Sequence, residues 1–209
     1  MVWLSDAEVE LAASSGMGIS WTPTIMMSCQ SFARIDDLLR AGARVGFGTD
    51  CFSMDMLEEF RYAIYAANFV RGLRSGYRLG ALDLVEMGTA RGAECLGLSD
   101  QIGTLEAGKL ADVILVDFDD PLIIPATNAF ESLVYRAKGA NVTHTIVGGT
   151  IVYESGKLLL ADELELLEAG RRFARAWIGR SRDLLARAGV LDRIEPAYLA
   201  GVRESGSGG

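Results

Sequence analysis

Apolar and polar positions change period several times along this chain, and each change marks a predicted element. Ser5-Asp6-Ala7-Glu8 sets a serine and a glutamate three apart, the pattern of a capping box, so a helix is predicted over 6–15 and stopped by Gly16. "MGISW" at 17–21 reads as a short strand, "TPTIMMSCQS" as a loop, "ARIDDLLRAG" at 33–42 as a helix ended by Gly42, and 43–48 as a second strand. Leu57, Phe60, Ile64, Ala67 and Val70 recur at helical spacing within 55–72, and another helix is predicted over roughly 81–95. Helix, strand, loop, helix, strand is the alternation of a parallel α/β sheet, whose functional loops follow its strands. Two parallel strands neither close a barrel nor bury both their faces, so their edge is expected to be unpaired and prone to association.

The pattern changes near residue 100. A Gly-Lys turn leads into Ala111-Asp112 and the apolar run Val113 to Val116, a strand over 112–117 ended by the acidic "DFDDP". Two β-branched runs then flank Gly148-Gly149, which allows the positive φ angles of a two-residue turn, so 142–153 reads as a hairpin whose second strand ends at Ser155-Gly156. From Asp162 to about Ala188 the spacing of Leu164, Leu167, Phe173, Trp177 and Leu184 predicts a long helix, with Arg171, Arg172, Arg175, Arg180 and Arg182 on a solvated face. Four segments follow: 1–100, 101–160, 161–203, and a tail at 204–209 whose Gly/Ser composition predicts disorder.

Composition narrows the partners. A net charge of −8 over 209 residues argues against nucleic acid and against an acidic membrane surface. No apolar run reaches the length of a membrane span, and the start lacks the basic-then-apolar order of a signal peptide. Cys29, Cys51 and Cys95 show no metal or disulfide spacing and read as free thiols of a reducing compartment, with the cytoplasm as default.

Candidate chemistry gathers at "RVGFGTDCFS". The apolar run Val45–Gly48 stops at Thr49-Asp50, which puts a carboxylate just past a strand end, where α/β barrels carry metal ligands and bases. The difficulty is company, since His144 is the only histidine and its place in the alternating "THT" reads as a half-exposed sheet residue. Cys51 reads either as a soft second ligand or as a small loop residue. Trp21, at the other strand end, reads equally as a ring that stacks on substrate or as a core tryptophan. Met26 and Met27 read as packing.

"GTD" at a strand end, "GTARGAECLGLSDQIGTLEAGKLADVILVD" and the hairpin "VTHTIVGGTIVYESGKL" together resemble the C-terminal half of the amidohydrolase superfamily, in its branch of cytosine deaminase, chlorohydrolase and S-adenosylhomocysteine deaminase-like enzymes. The resemblance runs through residues 2–160. It implies an α/β fold: the last strands and helices of a metal-dependent hydrolase TIM barrel, plus the C-terminal share of a small β-sandwich. It also implies a hydrolytic deaminase or dechlorinase acting on C–N or C–halogen bonds of a small heteroaromatic substrate, with Zn2+ or Fe2+ in an intact parent. Asp50 matches the family's last metal ligand, which also takes the proton of the attacking water. Trp21 stands where many members have a substrate-facing histidine. The family's His-x-His pair, its further histidines and its catalytic glutamate have no counterpart here, so this chain is expected to be the C-terminal portion of such an enzyme, binding no metal and inactive alone. The alternative is a non-catalytic assembly or interaction module derived from the fold, and a homo-oligomer is compatible with either reading.

Overall fold

A computed structural model of the chain describes residues 3–73 and 79–189. The sequence expectations for 190–209, which include the tail, lie outside the described residues. The chain divides between Leu159 and Leu160 into two compact units, described in turn.

The first unit opens with α1 (Asp6–Ser14), where the capping box forms. Glu8 Oε2 accepts from the Ser5 backbone N–H at 2.7 Å, while Ser5 Oγ accepts from the Glu8 N–H at 3.4 Å. Strand β1 (Gly18–Trp21) then leads directly into α2 (Pro23–Ser28). The loop expected from "TPTIMMSCQS" is thus a helix over most of its length, because Pro23 falls in the first turn, where a missing N–H costs nothing and its fixed φ suits the helix. Helix α3 (Ile35–Arg40) returns the chain to β2 (Arg44–Phe47). The two strands are parallel, with Gly18 opposite Arg44 and Trp21 opposite Phe47. Long helix α4 (Met56–Leu73) follows, then α5 (Ala81–Gly88) and α6 (Ala90–Leu96). The single helix expected over 81–95 is broken at Thr89, whose φ of −127° and ψ of −96° leave the helical region.

Strand β3 (Val113–Val116), helix α7 (Ala129–Tyr135) and strands β4 (Val142–Val147), β5 (Thr150–Glu154) and β6 (Lys157–Leu158) complete the unit. The last four strands form one antiparallel sheet in the order β3-β4-β5-β6. Gly148 and Gly149, at φ of 55° and 83°, make the expected hairpin turn. Ser155 and Gly156 do more than end β5: they turn the chain into β6.

The structure draws no division near residue 100. Ile123, Val134 and Ala137, from the supposed second segment, are wholly buried in the same core as Leu38, Val45, Ile64 and Leu84. Burial of that kind is the main favourable term in folding, and it joins the two stretches. The second unit contains α8 (Glu163–Arg187), capped by Asp162 Oδ1, which accepts from the Leu164 and Glu165 N–H groups at 2.9 and 3.2 Å. Among the described residues no helix is long and apolar enough to cross a membrane.

Candidate functional site

Two connections leave the C-terminal ends of the parallel strands, one after Trp21 and one after Phe47. The second is shaped by Gly48. Its N–H extends the ladder by donating to the Trp21 carbonyl at 2.9 Å, and any Cβ there would meet Ser20 Oγ at 2.5 Å. A larger residue there would require the Ser20 side chain to turn away. Two residues on, Asp50 adopts a left-handed conformation with φ of 54° and is exposed. A side chain other than glycine pays for that conformation, Asp and Asn least. The Cys51 thiol donates to the Asp50 carboxylate, and this bond, ahead of burial, pushes the thiol pKa up. Cys51 therefore serves as a hydrogen-bond donor to Asp50.

The chain then enters α4 through a cap built by Asp55. Its Oδ1 accepts from the Leu57 N–H at 2.9 Å and its Oδ2 from the Gly139 N–H at 2.7 Å, pinning the helix start to the approach to β4. Ser53 Oγ donates to Glu58 Oε2 at 2.6 Å. The next residue, Glu59, is wholly buried. Glu59 Oε2 accepts from the Thr24 N–H at 3.2 Å, and Glu59 Oε1 accepts from the Thr24 hydroxyl. Burial raises its pKa, the Thr24 bonds pull it back, and the charges of Glu58 and Asp50 push it up further. Glu59 thus ties the connection after β1 to the helix that follows the Asp50 turn. An open cleft of about 410 Å3 lies against this tie, walled by Met27, Phe52 and Tyr62 with Glu58 and Thr24 at its polar side.

The sequence candidates separate here. Asp50 is presented to solvent at a strand end. Trp21 is 5% exposed and stacks on Phe47, ring centroids 5.4 Å apart, with Phe60 edge-on beyond at 5.2 Å. Of the two readings of Trp21, the core one describes its position in this structure. His144 sits in β4, its Nε2 3.2 Å from Glu154 Oε1 on the neighbouring strand, as a sheet residue. Glu59 escaped the sequence reading, although Ala63 and Ala66, four and seven residues on and both buried, mark its helix face as an inward one.

The described residues contain no group of three His, Cys, Asp or Glu side chains able to hold a metal ion. A catalytic zinc takes three protein ligands and a water, so the described residues do not fit a complete metal centre.

The C-terminal ends of parallel strands are where α/β barrel enzymes carry their catalytic side chains. Residues 1–152 match the amidohydrolase family, and the chain belongs to it. It is 38% identical over 182 residues to a 5-methylthioadenosine/S-adenosylhomocysteine deaminase of Desulforudis audaxviator, covering 85% of this chain and 42% of that protein. A 5'-deoxyadenosine deaminase of Methanobrevibacter smithii is 37% identical over 177 residues, covering 82% and 40%. Among solved structures, an adenosine deaminase from Xanthomonas campestris with bound zinc superposes with a TM-score of 0.78 at 29% identity, over 84% of this chain and 41% of that one. The zinc complex of an atrazine chlorohydrolase from Arthrobacter aurescens gives 0.66 at 28%, over 81% and 38%. The chain thus spans about two fifths of the length of the relatives it matches.

Proposed function

We propose that residues 3–159 form the Asp50-bearing part of a hydrolytic deaminase for adenosine-derived nucleosides. The observation that carries this reading is the exposed left-handed Asp50 at the end of β2, in a chain whose relatives are named as deaminases of such nucleosides. In the proposed reaction water adds to the ring carbon that bears the amino group, the C–N bond breaks, and ammonia leaves. Asp50 accepts the proton of the attacking water, which an exposed carboxylate at neutral pH can do. It also supplies one oxygen to the metal site of the intact enzyme, with zinc favoured over iron by the zinc-bound structural relatives. In this reading β1 and β2 are two strands of a TIM barrel, and the β3–β6 sheet is a share of a β-sandwich. A second reading, in which the chain is a non-catalytic module derived from the fold, is equally compatible with described residues that hold no group of three metal-binding side chains.

A graft decides between them. Residues 1–160 replace the matching two fifths of the Desulforudis relative, and ammonia release from 5'-deoxyadenosine, 5-methylthioadenosine and S-adenosylhomocysteine is followed with zinc present. Turnover that disappears on Asp50→Asn is expected, because an amide keeps an oxygen ligand but cannot take the proton. Undiminished turnover in that variant removes Asp50 from the chemistry. A folded graft with no turnover on any of the three supports the non-catalytic module.

A further inference from the structure

Helix α8 is 25 residues long and, among its described residues, buries none. Four of its apolar side chains share one face, whereas Leu164 and Leu167, 63% and 51% exposed, lie off it. Leu166, Phe173, Trp177 and Leu184, spaced seven, four and seven apart, lie on one face and are 52%, 66%, 60% and 70% exposed. That is the seam spacing of a two-stranded coiled coil. Phe173 and Trp177 stack on each other, centroids 6.5 Å apart, as a flat aromatic platform at the middle of the helix. Ala169 and Ala176 flank the seam with small side chains that permit close approach.

Charge is segregated along the same helix. Glu163, Glu165 and Glu168 occupy its first two turns, whereas Arg171, Arg172, Arg175, Arg180, Arg182 and Arg187 occupy the remainder against the single acid Asp183. The seam is self-complementary when read backwards about Arg175. Leu166 of one copy then meets Leu184 of the other, and Phe173 meets Trp177. At the ends, Glu163 meets Arg187. Nearer the centre, Gly170 leaves room for the long side chain of Arg180. A parallel pairing would instead put Glu163 on Glu163 and both seam arginines on themselves, like charges facing at three levels.

We infer that α8 is a dimerisation element whose occupant is a second copy of the same helix, antiparallel and related by a two-fold axis that passes between the helices at the level of Arg175. The contact is isologous: each pair occurs twice, as closed two-fold symmetry requires. It holds whether or not the hydrolase reading of the first unit holds.

The test uses the whole 209-residue chain. Sedimentation equilibrium is expected to show 22.5 kDa monomers passing to dimers as concentration rises. Trp177→Asp, at an exposed position, is expected to raise the dissociation constant more than tenfold with the far-UV circular dichroism spectrum unchanged. Glu163→Arg and Arg187→Glu should each weaken the dimer, and a one-to-one mixture of the two should restore it. For direction, Leu166→Cys and Leu184→Cys are placed in a background with Cys29, Cys51 and Cys95 changed to Ser. Positions 166 and 184 lie about 27 Å apart along one helix, so only the mixture of the two variants is expected to cross-link between chains. A monomer at every concentration overturns the inference, and α8 then packs within its own chain. A dimer indifferent to Trp177→Asp overturns it in favour of contacts in the first unit. Cross-linking of Leu166→Cys to itself overturns the antiparallel arrangement.

Discussion

Glu59 is a buried carboxyl with no basic partner among the described ion pairs, and its ionisation should be measurable as stability. Its pKa is raised, chiefly by burial, so the folded state holds this proton more tightly than the unfolded chain does. Stability from this group is therefore fully present below the ordinary carboxylate range and lost as pH rises through the folded pKa. Glu59→Gln keeps the shape and one oxygen acceptor for Thr24 while removing the charge. At low pH the variant and the parent should differ by no more than about 1 kcal/mol, the worth of one rearranged hydrogen bond. As pH rises to neutrality the variant should gain steadily on the parent. Glu59→Ala removes both acceptors, strips the half-buried Thr24 N–H of its partner and leaves a void, and should cost roughly 2–4 kcal/mol at low pH, a cost that shrinks as pH rises because the same charge is gone. Urea unfolding followed by tryptophan fluorescence suits the measurement, because Trp21 is buried whereas Trp3 and Trp177 are 88% and 60% exposed. Taking the difference between parent and variant cancels the opposite contributions of Glu8 and Asp120, whose pKa values are lowered by hydrogen bonds to Ser5 and to Leu122 and Asn141. A difference that stays flat with pH, or moves in the parent's favour, refutes the assignment of Glu59 as a destabilised buried charge.

Gly88→Ala drives a Cβ into the Phe60 ring, with Cε1 at 2.6 Å, and since Phe60 is itself buried against Phe47 the variant should lose about 1–3 kcal/mol in urea unfolding. Asp50→Gly relieves the left-handed backbone at φ of 54° and should stabilise the chain by about 1 kcal/mol in the same assay, while abolishing turnover in the graft.

Much of the fold is visible in the residue pattern because its signals are local. The capping box at Ser5 and Glu8, the glycine pair at 148–149 and the aspartate cap at 162 each satisfy backbone groups within a few residues, so sequence neighbours carry the information. The elements that were missed depend on distant partners or on an ambiguous residue. Pro23 is compatible with a loop or with a helix start, and the packing of α2 against α4 decides the matter. Thr89 resembles its helical neighbours, and nothing local announces the break there. Helix α7 follows "DDPLIIPATN", where the turn residues dominate, yet Val134 and Ala137 are wholly buried beside Ile123.

The site divides along the same line. The exposed position of Asp50 was legible because it interrupts a pattern: a charge placed where an apolar strand ends has no packing reason to be there. Trp21 and Glu59 obey their patterns, and that hid what they do. An indole at a strand end fits equally well inside or outside, and the Phe47 ring opposite it in the parallel register draws it inward. Glu58 and Glu59 are adjacent, identical side chains in the first turn of α4, where carboxylates suit the helix dipole, so each reads as a solvated acid. The small residues Ala63 and Ala66 on the same face as Glu59 are the one local difference, and the Thr24 bonds complete it, leaving Glu58 beside the cleft and closing Glu59 in. Glu59 therefore joins the connection after β1 to the helix that follows the Asp50 turn, while the like charge of Asp50 pushes its pKa up.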